Sequence, residues 1–491
     1  MVAKKIARGI SVMMAGQLLG NIIGLVSTLV MAALLIPEDF GVFALATSFV
    51  TIISAMFDLQ TSSVLIQMPD PKKQDFDTVF TLNLLRGVIL CLGVCALAWP
   101  ISAYVGDERL LPLLLLLSLQ PLLLALRNPY FERYAKDLSF GPTTLLDLAA
   151  KILSFLGAVG YAIINPSYWA LACGVLISAF AGTLMTYLVR REFPGLSLGS
   201  FRYVFSFSIW LGFSALLEQM RNVSGRLILG IAANATTLGF FALALQIVEQ
   251  IMAALMRPFN WAMFSGFSQF TGDPERLKST YNQAHTAMAS LLIPAATGML
   301  LVSEPIISTF FGAKWENTVL FLQFCAAVYV LNGIAGPVWA LGMSMGRTRL
   351  LFLRTALSLT LAVICQLVGI YYYGVLGFLI GGFIAAAANC AISLQITRQL
   401  IGLSYLKQLR NIIRPFCASL VMAPMVLLTQ SVLLATAPTW LILGLSMLVG
   451  VATYASVILL MWAMAGYPAG PERLALNTFH SVRERAGAML R

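Results

Sequence analysis

Charge is what this chain has little of. Only 10% of its 491 residues are Asp, Glu, Lys or Arg, against roughly 25% in soluble domains. With 59% hydrophobic residues and a mean hydropathy of +0.87, this excludes a water-soluble globule. No stretch is both long and polar enough for a separate soluble domain. Histidine is scarcer still. His285 and His480 are the only two, and neither has metal-ligand spacing, so a His-based metal site is excluded. No phosphate-binding GxxxxGK[ST] loop is present, which argues against ATP hydrolysis by this chain. The seven cysteines lie mostly inside apolar segments. Cys91 and Cys95 are four apart on a helix but lack a third Cys or a His, so they read as small buried hydrophobes. Gly195-Leu196-Ser197-Leu198-Gly199 matches a nucleophile-elbow pattern. It sits in a short loop without the strand and helix that pattern needs, and we read it as chance. Neither a cofactor, a metal nor a catalytic residue is expected.

Long apolar runs are what the chain does have. They exceed the ~10 residues of a barrel strand and match the ~20 of a membrane helix, so the expected fold is an all-α polytopic membrane protein. Fourteen spans are expected: 11–35, 41–66, 78–100, 109–131, 143–165, 168–189, 203–232, 236–260, 281–303, 318–341, 349–372, 375–397, 412–435 and 439–464. Lys4, Lys5 and Arg8 precede the first run as in a signal peptide. That run is longer than a signal's ~7–15-residue apolar core and no small-residue cleavage site follows, so it reads as an uncleaved span.

The net charge of +11 would suit nucleic acid, but its distribution fits membrane topology instead. With the N-terminus in the cytoplasm, most of the 31 lysines and arginines fall in cytoplasmic segments. The opposite side carries only Arg109 and Lys314. Both termini are thus expected in the cytoplasm, with a basic tail over 466–491 lying near anionic lipid.

Residues 40–46 read Phe-Gly-Val-Phe-Ala-Leu-Ala and residues 238–244 read Leu-Gly-Phe-Phe-Ala-Leu-Ala, an offset of 198. Ile101–Gly106 and Ile307–Gly312 repeat likewise at 206. The offset spans six helices, an even number, so both copies have one orientation and the repeat is parallel, with its pseudo-two-fold axis along the membrane normal. The expected division is a six-helix lobe over 1–200, a second over 201–400, two extra helices over 401–465, and the tail. Gly16, Gly20 and Gly24 mark one face of the first span for close helix packing.

Ionisable side chains within spans are costly and point to function. The deep cations are Arg86, Lys151, Arg221 and Arg226, and the acids are Asp58, Asp147, Glu218 and Glu249. Arg257 and Arg354 lie nearer the cytoplasmic ends and can snorkel. Asp147 and Lys151 are spaced to pair on one helix face, as are Glu218 and Arg221. Arg86 and Arg226 have no acid at helical spacing and need a partner from another helix, a watery cavity or an anionic substrate. The segment from Glu218 to Arg226, with Asn222 four residues from each, is too polar to face lipid. Gln17 and Asn21 in the first span, and Gln246, Glu249 and Gln250 in the eighth, offer further polar faces.

Gly225-Arg226-Leu227-Ile228-Leu229-Gly230 followed by Leu238–Ala244 resembles the span 7–8 signature of the polysaccharide transport family. Glu304-Pro305-Ile306-Ile307 with Phe311–Trp315, and Phe40–Ala46, are similar to other signatures of that family. It comprises Wzx-type flippases of the multidrug/oligosaccharidyl-lipid/polysaccharide exporter superfamily, and the resemblance covers about residues 1–400. The family often has an acid where this chain has Arg226, which favours an anion-binding role over ion coupling at that position. The subtype most resembled exports exopolysaccharide repeat units of the colanic acid or succinoglycan kind. The resemblance implies a MATE-like fold in the bacterial inner membrane. It also implies alternating-access flipping of an undecaprenyl-diphosphate-linked oligosaccharide, beside a polysaccharide polymerase and export machinery. On that reading Arg86, Lys151, Arg221 and Arg226 bind the diphosphate, Gln17, Asn21 and Asn222 meet sugar hydroxyls, and Glu218, Asp147 or Glu249 couples to an ion gradient. The alternatives are a multidrug antiporter of the same fold, which should favour acidic pockets, a peptidoglycan-precursor flippase, and a membrane glycosyltransferase or polymerase.

Overall fold

The computed structural model describes residues 2–464 apart from 59–60, 62–63, 66–67, 69, 138 and 435–436. The basic tail with His480, and the Arg257 side chain, lie outside the described residues. Among the described residues every regular element is a helix, and there are no strands. In chain order the main helices are α1 (Val2–Leu34), α2 (Pro37–Met56), α3 (Lys73–Val105), α4 (Leu110–Ala125), α5 (Phe140–Ile164), α6 (Tyr168–Val189) and α7 (Phe201–Ala232). They continue as α8 (Ala235–Gln269), α9 (Pro274–Phe310), α10 (Thr318–Ser344), α11 (Thr348–Ile401), α12 (Tyr405–Leu433) and α13 (Thr439–Met464). Eleven are long and apolar enough to cross a bilayer. The 54-residue α11 turns back at Gly374 and holds two crossings, while α7 and the shorter apolar α4 supply the others. The described crossings therefore number fourteen, as hydropathy predicts.

Helix ends follow local chemistry. Pro37 opens α2, where its missing N–H costs nothing, and the Asp39 carboxylate accepts the Ile36 N–H at 3.3 Å. Asp75 does the same for Lys72 at 2.8 Å at the start of α3, and Gly106 ends α3 in the left-handed conformation. In α11 the reversal needs Gly374, at φ 61° and ψ −143°, a region closed to side chains. It also needs Gly369 and Gly377, because a Cβ on either would overlap the other's carbonyl oxygen.

The chain forms two compact units. One comprises 1–246 with 366–378, the other 247–365 with 379–491. In the first, α1 packs on α5, α5 on α6, α3 on α4, and α2 on both α4 and α7. The glycine face of α1 works as its spacing implies: Gly16 abuts Thr144, and Gly20 abuts Leu148 and Lys151 of α5. In the second, α9 packs on α10, α12 and α13. Its apolar core includes Ala289, Ile293 and Ile334. Polar side chains thread it: the Asn389 amide donates to Asn332 at 2.9 Å, the Ser358 hydroxyl donates to Asn389 at 2.6 Å, and the Tyr281 and Thr397 hydroxyls share a bond of 2.8 Å.

Two spans differ from expectation. The second was expected to run from 41 to 66, but α2 ends at Met56 and Asp58 is non-helical. The Asp58 carboxylate is held by Arg86 of α3, and the Thr61 hydroxyl donates to Asn83 of α3 at 2.7 Å. Farther on, Val64, Leu65 and Met68 pack with Phe76, Val79, Leu82 and Tyr130, so the chain runs back along the first turns of α3. Irregular backbone at membrane depth is stable only where protein groups satisfy it; here the Asp58 N–H donates to the Ala55 carbonyl at 3.2 Å and the Lys136 ammonium donates to the Met68 carbonyl at 2.6 Å. The fourth span was expected to reach 131, but α4 stops at Ala125. Asn128 prevents continuation by accepting the Tyr130 N–H at 3.1 Å and donating to the carbonyls of Arg190 and Glu192. Within α4 a break at Ser118 receives the Cys95 and Cys91 thiols at 3.3 and 3.6 Å.

Residues 190–200, between α6 and α7, are docked on α3. The Gly195 N–H donates to Asp77, the Ser197 N–H to the Thr81 hydroxyl, and the Ser200 N–H to the Thr78 hydroxyl. The Ser200 hydroxyl donates to Asp75, and Arg133 pairs with Glu192 at 3.3 Å. The Gly-Leu-Ser-Leu-Gly stretch is thus a strap.

Candidate functional site

The sequence-derived site residues converge on four helices of the first unit, with one exception. Gln17 and Asn21 lie on α1, Arg86 on α3, Asp147 and Lys151 on α5, and Glu218, Arg221, Asn222 and Arg226 on α7. Glu249 lies on α8 beyond residue 246, in the second unit.

Arg86 and Lys151 are deep. At 1.5 Å per residue, each is about 17–20 Å along its helix from the start, in the middle of α3 and α5. Arg86 has found the partner from another segment that its isolation on α3 demands: its Nη1 is 2.8 Å from Asp58 Oδ1, with both side chains less than a third exposed. That pair also fixes the break after α2.

Lys151 does not close the ion pair with Asp147 that their spacing allows. Among the described residues no ion pair within 4.0 Å joins them, because the Lys151 side chain extends across to α1. A Cβ built on Gly20 would be 2.8 Å from Lys151 Nζ. The glycine leaves the slot that the ammonium fills. On the same helix the Gln17 amide donates to the Asn21 side-chain carbonyl oxygen at 3.2 Å.

The α7 cluster does close. Arg221 Nη2 is 2.6 Å from Glu218 Oε1 and 3.2 Å from Asn222 Oδ1. Arg226 lies where the expected span 203–232 places it. Six residues, about 9 Å, separate it from the end of α7, because that helix runs 32 residues from Phe201. A Cβ on neighbouring Gly225 would lie 3.6 Å from Gln366 and Phe378 and 3.7 Å from Phe241, ordinary contact distances within a continuous helix.

Two features escape sequence reading. The Gln246 amide of α8 donates to the Thr28 hydroxyl of α1 at 2.7 Å, a partnership across 218 residues that no local spacing reports. Arg109, in the turn between α3 and α4, bonds Asp107 at 2.9 Å and Glu38 at 2.8 Å. Its guanidinium holds the Asp107 carboxyl below the ordinary carboxylate range. The one visible signal was that Arg109 is a rare cation on its side of the membrane, with Asp107 two residues away.

Residues 30–320 match the family described as "Polysaccharide biosynthesis protein", and the chain belongs to that family. Among relatives, it is 23% identical over 407 residues to the lipopolysaccharide biosynthesis protein WzxC of Escherichia coli (strain K12), covering 81% of this chain and 82% of that one. It is 22% identical over 295 residues to the succinoglycan biosynthesis transport protein ExoT of Rhizobium meliloti (strain 1021), covering 58% of each. Among solved structures, the lipid II flippase MurJ in an inward closed conformation aligns with a TM-score of 0.75 at 14% identity, over 92% of this chain and 98% of that one. An inward-facing multidrug resistance MATE family transporter aligns with a TM-score of 0.62 at 16% identity, over 78% and 94%. These structural likenesses establish the fold, an all-α polytopic membrane protein of the MurJ and MATE kind.

Proposed function

We propose that this protein is a flippase that carries a lipid-linked oligosaccharide across the bacterial inner membrane for polysaccharide synthesis. The observation that carries the reading is Lys151. Its ammonium lies mid-span against Gly20, and among the described residues it makes no ion pair. A lone cation at a helix centre costs about 2.5–3.5 kcal/mol in a membrane, a cost that an anionic ligand would relieve. A polyprenyl diphosphate head supplies that anion, and the amides of Gln17, Asn21 and Asn222 suit sugar hydroxyls. Arg86, Arg221 and Arg226 add donors in the fork geometry that phosphate favours. Membership of a polysaccharide biosynthesis family, and relatives named for lipopolysaccharide and succinoglycan synthesis, support this substrate class.

The parallel repeat supports two six-helix lobes, 1–200 and 201–400, that rock to alternate access while the polyprenyl tail stays in lipid. Residues 401–465 add two helices, and both termini face the cytoplasm. Glu218, Asp147 or Glu249 couples the cycle to an ion gradient, and a polymerase receives the product. The test is export in a deletion strain carrying variants matched for membrane abundance. Lys151→Met should lower polysaccharide export at least tenfold, Lys151→Arg should retain most of it, and Arg86→Ala and Arg226→Ala should impair it. Normal export in all of these variants would refute the assignment.

A further inference from the structure

Three adjacent tyrosines, Tyr371, Tyr372 and Tyr373, precede the Gly374 reversal of α11, and each is more than two-thirds exposed. Successive helical residues point about 100° apart, so the three cannot share one face. Tyr371 and Tyr372 prolong the exposed apolar stripe of Ile364, Leu367 and Val368, at spacings of three and four. That stripe is the lipid side, where tyrosine is an ordinary interface anchor. Tyr373 prolongs a different face, through Ile370 to Gln366, at spacings of three and seven. This face is half-buried at Gln366 and Ile370 and opens only at Tyr373, which is 78% exposed.

Gln366 carries an unmet demand. Its Oε1 is buried and, among the described residues, accepts no hydrogen bond. The amide sits against α7, because a Cβ on Gly225 would lie 3.6 Å from Gln366 Nε2, and Arg226 is the next residue. Gln366, Tyr373 and α7 all belong to the first unit. Their depths agree. Gln366 is eight residues, about 12 Å, before Gly374, and Arg226 is about 9 Å from the end of α7. In the topology proposed above, both of those ends are periplasmic. An ionised diphosphate offers only acceptors, so it cannot satisfy Oε1, whereas a hydroxyl can donate to it.

We propose that the Gln366–Tyr373 face of α11 is a sugar-binding track on the periplasmic side, along which the glycan of the transported lipid passes outward from Arg226. This rests on the flippase reading and its orientation. Gln366 accepts a sugar hydroxyl, and the Tyr373 ring stacks on the apolar C–H face of a sugar ring. Tyrosine suits that contact because its ring is large, rigid and amphipathic and loses little entropy when held. The two side chains start about 10 Å apart along the helix, so the track fits a short oligosaccharide better than a single sugar.

Photocrosslinking in intact cells that make the polysaccharide tests this, with benzoylphenylalanine in place of Tyr371, Tyr372 or Tyr373 in turn and adducts read by intact-mass spectrometry. The probe at Tyr373 should carry a hexose-bearing adduct at least fivefold above the other two, which should carry phospholipid. At matched abundance, Gln366→Leu should lower the Tyr373-site adduct at least fivefold, and Gln366→Glu, which keeps an acceptor, should retain most of it. Leucine there removes a buried acceptor that has no partner, so the fold loses no bond and a fallen adduct reports binding. Phospholipid alone or no adduct at the Tyr373 site overturns the proposal, as does an adduct unchanged by Gln366→Leu. A glycan adduct that persists after deletion of the enzyme that begins lipid-linked glycan assembly comes from another periplasmic sugar and also overturns it. Export that persists in the strain lacking this transporter refutes the flippase reading instead, and the adduct still decides whether α11 binds the glycan.

Discussion

The Arg86–Asp58 pair should behave as a coupled unit in stability. Two unit charges about 4 Å apart attract by about 4 kcal/mol at an effective dielectric of 20. The pair is made at 2.8 Å with both side chains under a third exposed, so bulk screening is limited. Removing one partner strands the other, which costs about 3–5 kcal/mol. We take the low end, because partial exposure relieves the stranded charge. Arg86→Gln and Asp58→Asn should each therefore destabilise by about 3 kcal/mol, a factor of roughly 150 at 1.4 kcal/mol per tenfold. The double variant should cost less than the sum by about 2–4 kcal/mol. Reversible denaturation in mixed detergent micelles measures all four corners of the cycle. Additive effects would refute the idea that this pair fixes the break after Met56. The charge-swapped variant, Asp58→Arg with Arg86→Asp, separates structure from binding. It should recover stability but not export if Arg86 also meets an anion, and it should recover both if the pair is structural alone.

Asn128→Ala should release the 190–200 strap, because the buried amide donates to the Arg190 and Glu192 carbonyls. A loss of about 1–3 kcal/mol is expected, read as faster tryptic cleavage after Arg190 or Arg191 in inverted vesicles. Gly377→Ala places a Cβ on the Gly369 carbonyl and should sharply lower membrane abundance on immunoblots, whereas Gly160→Ala, with open space around it, should not. Because Arg109 holds the Asp107 carboxyl below its ordinary value, its contribution to stability is complete above about 3.9 and is lost as pH falls below it. Thermal unfolding between pH 2.5 and about 7 should show this loss, and Asp107→Asn should remove it.

Span number, helical class and family resemblance are legible in the sequence because lipid leaves so few solutions: a run of apolar residues has only a helix to form. The glycine face of α1 is legible for a similar reason, since its four-residue spacing has one geometric meaning. Where the chain breaks is harder. Asp58 is visible as an acid in an apolar run, but nothing local says that Arg86, 28 positions later, holds it outside a helix. Spacing equally suggests an Asp147–Lys151 pair. The structure sends Lys151 to Gly20 instead, because the space left by an absent side chain on another helix outweighs a neighbour on the same one.

Gly41 and Gly239 meet reciprocally, each against the carbonyl of the residue four before the other, which is the form of an interface that a homodimer makes with itself, in which one patch serves both sides of a two-fold axis. In such a dimer every substitution appears twice, so the two sides cannot differ. Once the halves are joined in one chain each side drifts independently. The outcome is on view around these glycines: Pro37, Glu38 and Asp39 on one side stand against Ala235, Thr236 and Thr237 on the other. The fused chain keeps a crossing of bare backbone at which one half is tied to the rest of the fold, Asp39 to the Tyr168 N–H and Glu38 to Arg109, while the other begins with Asn234 bonded to its own Thr237 N–H.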